Sequence, residues 1–329
     1  MRALVCEALG STDDLVIEDR PALSPSAGEI VVDVHAAGIN FPDILVIAGK
    51  YQDKAEPPFI PGNEAAGIVS AVGEGVSHLA VGDRVIAMPR GGAFAEQLAI
   101  DARNVAPLPD ALDFETGAGF GVTYGTSYHA LKQCARLQAG ETVLVLGAAG
   151  GVGIAAVEIA HAMGARVIAA ASSEEKLDFA RRSGADDTID YSQGGLKEKV
   201  RELTDGQGAD VVVDPVGGAV GLEGFRALGW HGRHLVIGFA SGDIPAFPGN
   251  LALLKEASVV GVWWGTWLKR SPGEHLKNMA ELGAWLADGT LNPAAVETYA
   301  LDDFSEAFRQ LSERRALGKV VLTMASSGK

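Results

Sequence analysis

The stretch TVLVLGAAGGVGIAAVEIAHAMGARVIAAASSEEK, Thr142 to Lys176, constrains the fold more than any other part of the chain. Five strand-forming residues run into a glycine cluster. An apolar helix follows over Gly151–Met163, then a second strand ending at Ala171-Ser172-Ser173. Gly147, Gly150 and Gly153 are spaced G-x-x-G-x-x-G, with Ala148 where the commoner G-x-G-x-x-G has its first glycine. In a chain with 42 glycines the spacing alone says little. Its flanks give it force, because a strand precedes it and a helix follows. Gly150 lets backbone approach a pyrophosphate and Gly153 lets helix pack on strand. Ala149, Gly151 and Val152 complete a loop whose helix N-terminus offers free N–H groups to phosphate. A dinucleotide is the expected ligand.

Units of this kind that bind NAD place Asp or Glu about 20 residues on, bonded to the ribose 2′-hydroxyl. Here that region reads Ala170-Ala171-Ser172-Ser173, with Lys176 a turn into the next helix. Hydroxyls and a lysine at a helix start suit a 2′-phosphate, so NADP(H) is expected. The ligand-free alternative is a capping box, Ser172-x-x-Glu175.

The chain has 329 residues, long for one compact unit, so two domains are expected. From Glu29 to Ile100 short alternating runs are broken by Gly-Glu-Gly, Val-Gly-Asp and Gly-Gly, as in a small antiparallel barrel or sandwich. After about Thr116 helices alternate with near-continuous Val/Ile/Leu/Ala runs: TVLVLG, ARVIAAAS, DDTIDYS, ADVVVDPVGG, GRHLVIGFA and ASVVGVWWG. Strands buried on both faces imply a parallel, doubly wound sheet. The tail holds a helix around Pro272–Asp288, an extended VETYALDDF, a helix at Ser305–Ala316 and the strand GKVVLTM. It reads as a chain returning to its first domain.

A net charge of −15 argues against a nucleic-acid partner. Two cysteines, Cys6 and Cys134, leave no disulfide framework or multi-thiolate site. The start lacks a signal-peptide pattern, and no apolar run reaches the ~18 residues of a membrane span. A cytoplasmic protein that does not engage membranes is expected.

The motifs AAGINFPDILVIAGKY, PPFIPGNEAAGIVSAVGEGV, GDRV, GAFAEQLAI and GAAGGVG together resemble the medium-chain dehydrogenase/reductase superfamily. The likeness is strongest to its zinc-free quinone oxidoreductase branch, related to zeta-crystallin, and spans nearly the whole chain. It implies an α/β fold: a Rossmann doubly wound parallel sheet plus a GroES-like antiparallel β-barrel catalytic domain. The implied division is 1–118 catalytic, 119–263 dinucleotide-binding, and 264–329 returning to the catalytic domain. Zinc-dependent relatives carry Cys and His where this chain has Asn40 and Asn63, and amides are poor zinc ligands.

The resemblance further implies that Asn40, Asp43 and Tyr51 line the cleft near the nicotinamide, with Thr126 beside that ring. Ser172, Lys176 and Tyr191 match positions around the adenosine 2′-phosphate. Gly238, Phe239 and Lys319 are looser transfers to the cofactor site. Read without the family, Asn40 and Asp43 are turn and cap residues and Tyr51 a loop anchor. Trp263, Trp264 and Trp267 either wall a substrate pocket or pack in a subunit interface. The interface is favoured, one Trp turning to the cleft, and the resemblance implies a homodimer.

With no metal and no nucleophile–base pair, the cofactor must carry the chemistry. Quinones and conjugated carbonyls accept hydride without a Lewis acid because their developing charge is delocalised. The expected activity is NADPH-dependent quinone or enone reduction. The alternatives are a 2-enoyl thioester or alkene reductase of the same fold and a low-turnover nucleotide-binding structural or regulatory protein.

Overall fold

A computed structural model describes residues 1–293 and 296–324. It divides into two compact units, Met1–Val122 with Ala295–Lys329, and Thr123–Ala294. Residues 294–295 and 325–329, which fall in the expected returning segment, lie outside the described residues.

In the first unit β1 (Arg2–Val5) and β2 (Val16–Asp19) form an antiparallel ribbon. The long strand β3 (Glu29–Ile39) leads through helix α1 (Phe41–Ile47) to β4 (Ala65–Val72), β5 (Arg84–Ala87), β6 (Gln97–Asp101) and β7 (Val105–Pro107). Ile30, Val32 and Val34 of β3 enter the core on even positions, whereas Ala37 and Ile39 enter on odd ones. A register shift between Val34 and Ala36 against β4 accounts for the change, because one slipped residue flips every side chain after it.

Helix α2 (Phe114–His129) carries the chain into the second unit. There β8 (Thr142–Leu146), α3 (Gly151–Ala162), β9 (Arg166–Ala171), α4 (Glu174–Arg182) and β10 (Asp187–Asp190) form the first half. The second half is α5 (Leu196–Leu203), β11 (Ala209–Asp214), α6 (Gly218–Ala227), β12 (Leu228–Val236), α7 (Gly249–Lys255) and β13 (Ser258–Gly261). All pairs are parallel, in the order β10-β9-β8-β11-β12-β13. The order reverses between β8 and β11, and ligands of such sheets bind at the carboxyl ends beside that point. Strands β8 and β9 are apolar along their buried length: Val143 to Leu146 and Val167 to Ala170 are fully buried.

The sequence expectation fails in three places. Trp264 and Trp267 lie on helix α8 (Trp264–Arg270), not on the edge strand. Trp264 is buried against Gly125, Trp267 is half-buried and stacks on His129, and Trp263 is 51% exposed. Next, helix α9 (Pro272–Ala287) stays with the second unit, so residues 264–293 do not return to the first. Its Glu281 pairs with Lys132, Asn278 with Gln133, and Trp285 packs edge-on to Tyr128. Only β14 (Val296–Ala300), α10 (Phe304–Ser312) and β15 (Lys319–Thr323) rejoin the first unit. Finally, the sheet of that unit, β14-β15-β3-β4-β5-β7 with β6 on β3, is antiparallel except at β14–β15. The crossover through α10 makes that pair parallel. Among the described residues no helix is long and apolar enough to cross a membrane.

Candidate functional site

The turn from β8 into α3 is built for close backbone approach. A Cβ on Gly153 would lie 2.2 Å from the Gly147 carbonyl oxygen, so only glycine lets the helix start here. Gly147 has φ +58° and packs against the Val216 side chain. Gly150 is the N-cap, with extended backbone and no side chain to cap the helix. The first-turn N–H groups of Gly151, Val152 and Gly153, lacking intrahelical acceptors, are therefore left for a ligand oxygen. Ser127 on α2 donates to the Val152 carbonyl oxygen at 2.9 Å, which places its neighbour, the buried Thr126, beside this turn.

Ser172, Lys176 and Tyr191 come together at the carboxyl end of β9. Asp190 is the register partner of Ala171, and the Tyr191 backbone N–H donates to the Ala171 carbonyl at 3.0 Å. The helix cap differs by one residue from the expected capping box: Ser173 caps α4, accepting from the Lys176 N–H at 3.5 Å. Ser172 is left exposed at the strand end, and Lys176 is half-buried one turn away. Glu174, the nearest acid in sequence, pairs with Arg181 at 2.6 Å, a cation that also pairs with Asp178. The strand end itself, Ala171-Ser172-Ser173, carries no acid for a ribose 2′-hydroxyl.

On the other side of the switch point Gly238 and Phe239 follow β12. The Gly238 N–H points to the Asp214 carbonyl at 3.4 Å, and Phe239 packs against Gly217. The sequence-marked cofactor residues from Thr126 to Phe239 therefore all lie at or beside the carboxyl ends of the parallel strands. Lys319 does not. It belongs to the first unit.

There Lys319 forms a buried cluster with Asn40 and Glu64. Its ammonium donates to Asn40 Oδ1 and pairs with Glu64 Oε1, both at 2.5 Å. Asn40 Nδ2 donates to Glu64 Oε1 at 2.8 Å, and the Val122 N–H donates to Glu64 Oε2 at 2.9 Å. Asp43, at the third position of α1, accepts from the Asn40 backbone N–H at 2.7 Å and from Asn63 Nδ2 at 2.6 Å. Burial pushes the Asp43 carboxyl up to about 7 despite those bonds and the Lys319 charge. Tyr51 is half-buried just past α1, its N–H donating to the Leu45 carbonyl at 3.1 Å.

Zinc does not fit these residues. Positions 40 and 63 are neutral amides, already bonded to carboxylates, and the Lys319 ammonium supplies the positive charge that Glu64 requires. Among the described residues no group of three or more His, Cys, Asp or Glu side chains could hold a metal. Sequence reasoning missed Glu64 and gave Asn63 only a negative role. The available signal was an acid inside an otherwise apolar run, NEAAGIV, with no turn to explain it.

Two family models match the chain: a zinc-binding dehydrogenase model over residues 151–284 and an alcohol dehydrogenase GroES-like domain over residues 26–110. The quinone oxidoreductase-like protein 2 homolog of Nematostella vectensis is 41% identical over 325 residues, covering 98% of this chain and 88% of that one. The Escherichia coli quinone oxidoreductase complexed with NADPH is similar in structure, with TM-score 0.90 at 29% identity, covering 98% and 100% of the two chains. The CurK enoyl reductase follows at TM-score 0.88 and 28% identity, covering 98% and 99%.

Proposed function

Because the chain belongs to the quinone oxidoreductase branch of the medium-chain dehydrogenase/reductase superfamily, we propose that it is an NADPH-dependent reductase of quinones and other electron-poor conjugated carbonyls, working without zinc. One observation supports the cofactor choice: Ser172, Lys176 and Tyr191 stand at the carboxyl end of β9, and the strand end itself, Ala171-Ser172-Ser173, carries no acid. Bound NADPH supplies a hydride from the nicotinamide ring.

The residues of the chain bind and orient. Gly147–Gly153 and the start of α3 hold the pyrophosphate, and Ser172, Lys176 and Tyr191 hold the 2′-phosphate. Thr126 flanks the cofactor beside the glycine turn, and Gly238 and Phe239 flank it on the far side of the switch point. Asn40, Asp43 and Tyr51 serve the acceptor. Asp43 and the Lys319–Glu64 pair fix the start of α1, and Tyr51 donates a hydrogen bond or proton to the acceptor oxygen as charge develops there.

Likeness to an enoyl reductase supports a second reading, in which the acceptor is a 2-enoyl thioester. NADPH oxidation with 1,4-benzoquinone, 9,10-phenanthrenequinone and short enoyl-CoA thioesters separates the two. Quinone turnover well above thioester turnover is expected. The reverse ranking selects the second reading, and no turnover with either leaves a nucleotide-binding protein.

A further inference from the structure

His234 and Asp214 form a pair that the proposed chemistry does not use. Both are within 1% of complete burial, and His234 Nε2 lies 3.0 Å from Asp214 Oδ2. The other carboxylate oxygen, Oδ1, accepts from the N–H groups of Val216 at 2.9 Å and Gly217 at 2.8 Å. A carboxylate only accepts, so the ring proton sits on Nε2. His234 Nδ1 is buried without a hydrogen-bond partner, among Phe225 and Phe247. Among the described residues the imidazole bonds to the carboxylate alone.

The backbone around the pair shows what it holds. Asp214 ends β11, and the turn after it is laced to the segment after β12. The Ile237 N–H donates to the Asp214 carbonyl, Ala240 to Pro215, Ser241 to Val216, and Gly218 to Asp243, at 2.8–3.1 Å. Val216 in turn packs on Gly147, and Phe239 on Gly217. Two loops at the carboxyl ends of the sheet are thus one body, and that body touches the glycine turn. Its foundation is the Asp214–His234 bond, with the ring packed on Phe247 from the same segment.

We propose that the buried Asp214–His234 pair is a positioning unit for NADPH, setting where Val216, Gly238 and Phe239 stand against the glycine turn. It acts on cofactor affinity and not on hydride transfer.

This rests on Gly147–Gly153 being the NADPH site, so a Gly150→Asp variant is measured alongside. His234→Phe keeps an aromatic ring among Phe225 and Phe247 but loses the bond. It should raise the NADPH Kd roughly ten-fold, the effect of about one hydrogen bond, with kcat at saturating NADPH within about two-fold. His234→Gln, whose amide N–H can still reach the carboxylate, should restore most of the affinity. Asp214→Asn tests the link from the other partner. An Asn can satisfy Nε2 only by donating, which forces the ring proton onto Nδ1 where nothing accepts it, so this variant should also bind NADPH more weakly. A purely structural role would lower the melting temperature of these variants without changing the Kd of the folded fraction. Wild-type NADPH affinity in folded His234→Phe or Asp214→Asn, or a fall in kcat at unchanged Kd, overturns the proposal. Unchanged affinity in Gly150→Asp instead refutes the glycine turn as the site.

Discussion

Gly150→Asp separates folding from binding because the two respond with opposite sign. Gly150 has φ −80° and ψ 166°, a conformation open to any residue. An added Cβ would meet only the Gly147 carbonyl oxygen, at 3.5 Å, which is ordinary contact. Asp is a preferred N-cap, and its charge complements the positive end of α3. The free protein should therefore gain a few tenths to ~1 kcal/mol. For a chain of this size that is a rise of about 1–4 °C in Tm. The same carboxylate faces any pyrophosphate held by the helix N-terminus. Two unit charges about 5 Å apart at an effective dielectric of about 20 repel by about 3 kcal/mol, a loss of roughly 100-fold in affinity. Differential scanning fluorimetry reads the first effect and titration of NADPH by fluorescence the second. NADPH binding within about three-fold of wild type would sink the assignment of this turn. A large drop in Tm of the free protein would refute the steric argument.

Lys176→Ala should cost NADPH ~1–3 kcal/mol of binding and spare NADH, and equal cofactor affinities in the wild type would contradict the 2′-phosphate assignment. Burial keeps Asp43 protonated up to about 7 against 3.8 for a free carboxyl, so the unfolded chain releases this proton first as pH rises. The stability contributed by Asp43 therefore falls between about pH 4 and 7. Asp43→Asn removes that slope, and its Tm should gain on wild type across the window; a gap that does not move with pH refutes the burial argument. Strand β13 is a sheet edge with Val259 44% exposed, an invitation to pairing. Light scattering should give twice 34.1 kDa for the wild type and one chain for Val259→Asp, and a monomeric wild type would overturn the dimer. Tyr51→Phe should lower kcat/KM more with enones, whose developing enolate oxygen is more basic than that of an aromatic quinol, than with quinones, leaving NADPH affinity alone; activity unchanged on both makes Tyr51 a loop anchor.

What was legible in the sequence is what local pattern controls. The run from Thr142 to Ser173 encodes strand, turn, helix and strand in period and glycine spacing, and the structure follows it within a residue or so. The helix cap slipped from Ser172 to Ser173 because both neighbours are serines and either can cap. The Trp residues were misread because the apolar run ASVVGVWWG continues past Gly261 without punctuation, whereas the chain turns into a helix at Trp264, which packs against Gly125. The division near 264 was misplaced for a related reason. Lys132, Gln133 and Tyr128, the partners that keep α9 in the second unit, lie some 145 residues before it, and periodicity carries no such information.

The same limit explains the cluster around Lys319. Asn40 and Lys319 are 279 residues apart, yet their side chains bond at 2.5 Å because β15 pairs antiparallel to β3, with Val320 opposite Ile39. Antiparallel pairing fixes which residue of the tail arrives beside residue 40, and a slip of one residue would turn the lysine to the other face. Burying an ammonium and a carboxylate is expensive, and a well-packed apolar pair of the same volume is often no less stable. Removing one partner is different, because the charge left behind is buried and unpaired. Lys319 therefore acts as a check on how the tail docks: only the register that delivers it to Glu64 and Asn40 avoids an isolated charge in the core. The positive charge beside Asn40 and Glu64 is thus supplied by the last strand, so docking the tail completes this buried cluster.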